Sequence, residues 1–114
     1  MPYDEALTAR MPQALDGLVG VEEKKMMGGV CFMVNGHMLC GARHDNEGNR
    51  RFMFRVGKEN MEQALREPEA YEMQIGAKTL GGFLHVDEEN CNDKCLAKWM
   101  SRCLTFNASL PDRD

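Results

Sequence analysis

Residues 30–41 read Val30-Cys31-Phe32-Met33-Val34-Asn35-Gly36-His37-Met38-Leu39-Cys40-Gly41. Two apolar runs flank an Asn-Gly dipeptide, which suits a two-residue type I′ turn because both turn positions need positive φ. The stretch is therefore predicted to be a β-hairpin. Such a turn sets Val34 opposite His37, Met33 opposite Met38, Phe32 opposite Leu39 and Cys31 opposite Cys40. Alternation then puts Val30, Phe32, Val34, His37 and Leu39 on one side. Cys31, Met33, Met38 and Cys40 share the other. Neither side is polar, so both must be covered. The second face is expected to meet a wrapping helix or, preferentially, a second copy in a symmetric homodimer. Counted outward from the turn, Cys31 and Cys40 form a non-hydrogen-bonded pair, with Cα atoms roughly 4.5 Å apart. That is the short edge of the disulfide range, so two packed thiols are expected instead of a bond.

Outward from the hairpin, Val21 to Met27 is predicted as a charged strand that Gly28-Gly29 interrupts. Before it, Leu7, Met11, Ala14, Leu15 and Leu18 recur at helical spacing behind an Asp4 cap, with Pro12 forcing a kink or restart. His44 to Arg50 is polar and reads as a loop. Arg51 to Val56 alternates as a strand, with Phe52, Phe54 and Val56 opposite Arg51, Met53 and Arg55. Lys58 to Arg66 reads as a short helix stopped by Pro68. Tyr71, Met73 and Ile75 alternate as a strand, Gly76 to Lys78 turn, and Gly82 to Asp87 form another strand. A last helix starts near Asn92 or Asp93, with Cys95, Leu96, Trp99, Met100, Cys103 and Leu104 as its stripe. The order is helix, strands, helix, strands, helix. It predicts one α+β domain over residues 1–114, an antiparallel sheet with three flanking helices in two layers.

Composition narrows the function classes. At 114 residues the chain suffices for one core without staples. No apolar run reaches the ~18 residues of a membrane span, and the start Met1-Pro2-Tyr3-Asp4-Glu5 argues against a secretory signal. Five cysteines without a repeated spacing suit free thiols in a reducing cytoplasm. With 18 acidic and 14 basic residues the net charge is −4. A protein that grips DNA alone needs a basic face, so no specific duplex binding by this chain is expected. The clusters Lys24-Lys25 and Arg50-Arg51 read as solvated strand positions.

The residues offer little chemistry. Gly28-Gly29 and Gly81-Gly82 lack the spacing and context of a phosphate loop, and serve backbone geometry. Cys91, Cys95 and Cys103, with His85 as a fourth donor, make a poor zinc set, because Cys95 and Cys103 lie in the apolar stripe with Trp99. The reading is therefore no metal, no cofactor and no catalytic residue. His37 is a hairpin-edge residue. Arg55, charged in mid-strand, either pairs with a carboxylate such as Glu23 or offers its fork to an anion. If the domain binds a small ligand, Lys25, Arg55 and His85 are the candidates to border an anion pocket. A flat apolar patch would instead favour a protein-interaction role.

The combination Lys24-Lys25-Met26-Met27-Gly28-Gly29 with Cys31-Phe32-Met33-Val34-Asn35-Gly36-His37-Met38 resembles the TfoX N-terminal domain family (TfoX/Sxy). Met53-Phe54-Arg55-Val56-Gly57, Gly82-Phe83-Leu84-His85-Val86-Asp87 and Leu104-Thr105-Phe106-Asn107-Ala108-Ser109-Leu110-Pro111 extend the likeness. The resemblance implies an α+β domain and a non-enzymatic regulatory module that works through a protein partner. The family's named members are bacterial competence regulators that act as coactivators beside a DNA-bound transcription factor. They carry a second, C-terminal domain, which these 114 residues do not include. Met27 stands where the family usually has Phe, and Gly81 where Lys or Arg is common. The resemblance carries over no catalytic residue.

Overall fold

The computed structural model describes residues 10, 20–26, 29–34, 36–44, 49–75 and 78–110. Six strands run β1 (Val21–Met26), β2 (Gly29–Val34), β3 (His37–His44), β4 (Arg50–Arg55), β5 (Ala70–Ile75) and β6 (Lys78–Asp87). They form one sheet in the order β1-β2-β3-β4-β6-β5, and every neighbouring pair is antiparallel. A 3₁₀ turn (Lys58–Asn60) and α1 (Met61–Ala64) link β4 to β5, and a second turn (Glu88–Asn90) leads into α2 (Asp93–Ala108). The α+β class and the antiparallel sheet agree with the sequence. Of the three flanking helices expected, two lie among the described residues. The predicted N-terminal helix lies outside them except for Arg10. Its guanidinium lies 5.2 Å from the centre of the Phe52 ring and donates to Glu88 and to the Cys91 carbonyl.

One face of the sheet carries the main core. Phe32, Phe52, Phe54, Leu39, Leu84 and Val86 are buried there under Leu96, Trp99, Met100 and Cys103 of α2. Phe54 stacks on Trp99 with ring centres 5.8 Å apart and planes 19° apart. Full burial of each such phenylalanine contributes roughly 1.5–3 kcal/mol. The helix starts where the sequence placed it, because the Asn92 side chain accepts the Cys95 N–H at 2.8 Å. Near the other end, buried Asn107 donates to the Val34 carbonyl at 3.3 Å and ties α2 to the hairpin.

The hairpin register holds only as far as Met33. Val34 pairs with His37 and Met33 with Met38, but Phe32 pairs with Cys40 and Cys31 with Gly41. Gly36 has φ 82°, the sign a type I′ turn needs, while Asn35 lies outside the described residues. A β-bulge therefore sits at Leu39-Cys40, two residues against one. Both are fully buried in the helix-side core, and the Cys40 Sγ lies 3.9 Å from the Met100 Sδ. This corrects the expected Cys31–Cys40 neighbours. Cys40 has moved to the opposite face from Cys31, because the extra residue lets two β3 side chains fill the space beneath α2. Burial pushes the Cys31 thiol up to about 11, against a smaller opposing pull from Lys24, and raises Cys40 well above its ordinary value. Neither thiol has the thiolate character of a redox switch.

A polar cluster fastens the start of β5 to α2. Glu69 Oε2 accepts from Lys98 Nζ at 2.7 Å, from Trp99 Nε1 at 2.9 Å and from the Cys95 thiol at 3.6 Å. Burial by itself would raise the Glu69 carboxyl. The hydrogen bonds from Lys98, its own backbone and Trp99, with the Lys98 charge, outweigh that and hold it down to about 2. The unfolded chain then binds the proton first as pH falls. The stabilisation is complete above about pH 4.5 and is lost progressively down to about 2. Glu69→Gln should cost roughly 2 kcal/mol at neutral pH, the scale for breaking a buried charge-assisted bond. It should also flatten the pH dependence of the urea midpoint between about 4.5 and 2. An unchanged acid limb in the variant would contradict this assignment.

At the end of β4 the chain turns sharply. The Val56 and Gly57 amides both donate to the Gly82 carbonyl, at 2.9 and 3.1 Å. Gly57 sits at φ 90° and ψ 144°, and a Cβ built there would lie 2.4 Å from the Phe106 ring.

Candidate functional site

The face of the sheet away from α2 is where unassigned side chains gather. Register decides its members. Cys31 pairs with Gly41, Gly41 with Met53, and Met53 with His85, so these positions form one row across β2, β3, β4 and β6. Around them Met33, Met38, Met73 and Phe83 pack with Cys31 and Met53 into a second apolar cluster. Cys31, Met53 and Met73 are buried by their neighbours, while Met33, Met38 and Phe83 remain partly exposed. Among the described residues no helix lies over this cluster. A shallow hollow of about 50 Å³ opens over Gly41, between Cys31, Met38, Met53 and Met73. Gly29 and Gly41 are among its lining, and the neighbouring backbone leaves no room for a side chain at either: a Cβ would meet the Ala42 carbonyl at 2.3 Å and the Val30 carbonyl at 2.8 Å.

Beside the apolar row runs a polar one. Arg43 on β3 is directly opposite Arg51 on β4, and Arg51 is opposite Asp87 on β6. Like charges placed opposite each other across a ladder repel. Asp87 offsets part of that charge. Its Oδ1 lies 3.8 Å from Arg51 Nε and accepts the Tyr71 hydroxyl at 2.5 Å. Tyr71 in turn packs on His85 with ring centres 5.8 Å apart.

His85 is only 3% exposed, and among the described residues its Nε2 has no hydrogen-bond partner. Burial, then the charges of Arg51 and Arg43, bring the imidazole down to about 4, against a smaller upward pull from Asp87. His85 is therefore neutral at pH 7, with one nitrogen able to donate and the other to accept.

The three residues singled out in the sequence do not converge. His85 belongs to this face. Arg55 shares the face but pairs with Phe83, and its guanidinium lies 5.5 Å from the Phe83 ring and 5.4 Å from the Phe106 ring. It packs on aromatic rings; Glu23, the carboxylate expected beside it, lies three strands away on β1. Lys25 pairs with Val30, a core residue of the opposite face. Register pairs His85 with Met53 and Tyr71, and the charges that act on it are those of Arg51 and Arg43 in the neighbouring row. The signal for them was present: they flank the polar loop at matching positions, with His44 paired to Arg50 between them.

His85 cannot join Cys91, Cys95 and Cys103, which lie on the helix side. Cys91 and Cys103 are core residues there, and their thiols are raised by burial. Among the described residues no group of three or more His, Cys, Asp or Glu side chains is placed to hold a metal ion. A larger hollow of about 540 Å³ lies between the Lys58–Ala64 segment and α2, lined by polar side chains such as Glu59, Gln63 and Arg102. No described helix is long and apolar enough to cross a membrane.

No curated protein and no solved structure matches the chain. A family model does, over residues 13–107, which is most of the molecule. Its description is the TfoX N-terminal domain, and the chain belongs to that family.

Proposed function

We propose that this chain is a non-enzymatic regulatory module that binds a protein partner through the open face of its sheet. The observation that carries the reading is the methionine-rich cluster of Met33, Met38, Met53, Met73 and Phe83, over which no described helix lies. Methionine surfaces adapt to partners, and large uncovered apolar patches mark contact sites. Arg43, Arg51 and Arg55 on the same face favour a partner segment that mixes acidic and apolar residues. Family membership supports a regulatory role of the coactivator type, with sequence-specific DNA contact left to the partner. A net charge of −4 agrees with that division of labour.

The test is affinity capture from the source cell with wild type and with Met33→Glu/Phe83→Glu. Both side chains are partly exposed, so the variant should keep the wild-type circular dichroism. Capture of the partner should fall at least tenfold. Undiminished capture by the folded variant would remove this face as the contact surface. A second copy of the chain is one partner this surface can accept. Light scattering that shows a monomer at all micromolar concentrations would eliminate that homodimer.

A further inference from the structure

We propose that the cleft between α2 and the Lys58–Ala64 segment binds a small polyhydroxylated anion, a sugar carrying one phosphate or carboxylate group. The cleft holds about 540 Å³, inside the range of about 300–1,000 Å³ common to small-molecule sites. One wall is a stripe of α2 that the core does not use. Arg102 and Phe106 are four residues apart, and so are Ser101, Thr105 and Ser109, so each set shares a helix face. The other wall is Glu59, Asn60 and Gln63, and Val56 joins Phe106 as the apolar part of the lining.

The polar groups of this lining are largely unspent. Arg102 is half-buried, and its guanidinium lies 5.0 Å from the centre of the Trp99 ring. Among the described residues it makes no ion pair and no side-chain hydrogen bond, and the same holds for Glu59, Gln63 and Thr105. Two neighbours are already oriented. Asn60 Nδ2 donates to the Val56 carbonyl at 2.8 Å, and Ser109 Oγ donates to the Phe106 carbonyl at 2.6 Å. Their oxygens keep acceptor capacity.

The charges select the ligand. Arg102 only donates and Glu59 only accepts, and they occupy opposite walls of one cleft without closing on each other. A ligand that suits both carries an oxyanion at one end and donors at the other. A guanidinium held over an aromatic ring keeps its N–H edge for a carboxylate or phosphate. Hydroxyl groups supply the donors for Glu59, and they also match Gln63 and Thr105, which donate or accept. The carbon skeleton of a sugar would rest on Val56 and Phe106. The cleft borders α2, on the other side of the sheet from the methionine cluster, so it is independent of the proposed partner surface.

The experiment is a two-dimensional NMR titration of the full chain with glucose-6-phosphate, gluconate, glutamate, glucose and inorganic phosphate at constant ionic strength. Glucose-6-phosphate or gluconate should give saturable shifts confined to residues 56–63 and 101–109. Either should bind at least tenfold more tightly than glucose or inorganic phosphate, the scale of one charge-assisted bond plus the hydroxyl contacts. The tighter of the two assigns the oxyanion as phosphoryl or carboxylate. Arg102→Gln should weaken that binding at least tenfold and keep the wild-type circular dichroism. If that variant folds poorly, Gln63→Leu/Thr105→Val replaces two exposed side chains and should weaken the sugar anion at least fivefold while leaving inorganic phosphate unchanged. Shifts that never saturate, that inorganic phosphate reproduces, or that persist undiminished in a folded variant would overturn the site. Glutamate, which offers Glu59 an ammonium in place of hydroxyls, should bind more weakly, and tighter binding by it would overturn the sugar assignment.

Discussion

Trp99→Ala should cost about 3–5 kcal/mol and lower the urea midpoint sharply. A domain of this size has only about 5–15 kcal/mol in total. The side chain is completely buried, stacks on Phe54, and has Lys98 and Arg102 over its ring at 5.3 and 5.0 Å. Its removal leaves a cavity between β4 and α2 that neighbouring strands cannot close. It also takes a donor from Glu69, so the polar cluster weakens with the apolar one. Trp99→Phe helps separate the two effects, because it keeps an aromatic ring in the core while removing the N–H and the smaller part of the indole. That variant should cost roughly 1–2 kcal/mol. Trp99 is the only tryptophan, so the comparison must be made by circular dichroism in urea. A loss below about 1.5 kcal/mol in the alanine variant would mean that the sheet and α2 are not held by this contact.

Gly57→Ala should be almost as damaging, for a different reason. At φ 90° and ψ 144° the backbone is in a region that residues with a Cβ rarely enter, and strain there costs about 1–3 kcal/mol. The new methyl would also press on Phe106 at 2.4 and 2.5 Å, and crowding of that kind adds about 1–3 kcal/mol. The backbone cannot relax freely, because the Gly57 amide is held by the Gly82 carbonyl. The two contributions can be separated in a double-mutant cycle. In a Phe106→Ala background the clash is gone and only the backbone strain remains. Gly57→Ala should then cost clearly less than in wild type. An equal cost in both backgrounds would show that Phe106 yields without penalty.

Local signals carried the sequence reading a long way. The Asn-Gly turn, the alternation of Phe52 and Phe54, and the stripe of α2 behind its Asn92 cap each reflect forces acting within a few residues. The bulge at Leu39-Cys40 was not legible. A turn fixes register only until some long-range gain exceeds the loss of a ladder position. Here the gain is the burial of both residues near Met100, sixty positions away from Cys40. The same limit misplaced the candidate site. Lys25 was grouped with His85 because both are chemically apt, yet which face a strand residue occupies depends on the register of every intervening strand. Met53, by contrast, was assigned correctly opposite Phe52 and Phe54, and through it the sheet brings Cys31 and His85 into one row.

The placement of β1 has a consequence for how this protein stays dispersed. Among the described residues it is the outermost strand beyond β2, and one of its sides has no neighbour in the sheet. An uncapped strand of this kind is a template on which another chain can crystallise its own backbone. Four successive residues of β1, Glu22, Glu23, Lys24 and Lys25, are charged and exposed, two projecting to each face. An incoming strand would have to strand those charges against its own side chains, whichever way it approached. The Glu-Glu-Lys-Lys run thus works as a gatekeeper against fibrous stacking. It keeps the rim from pairing with another strand, and that is a role for Lys25 that involves no ligand.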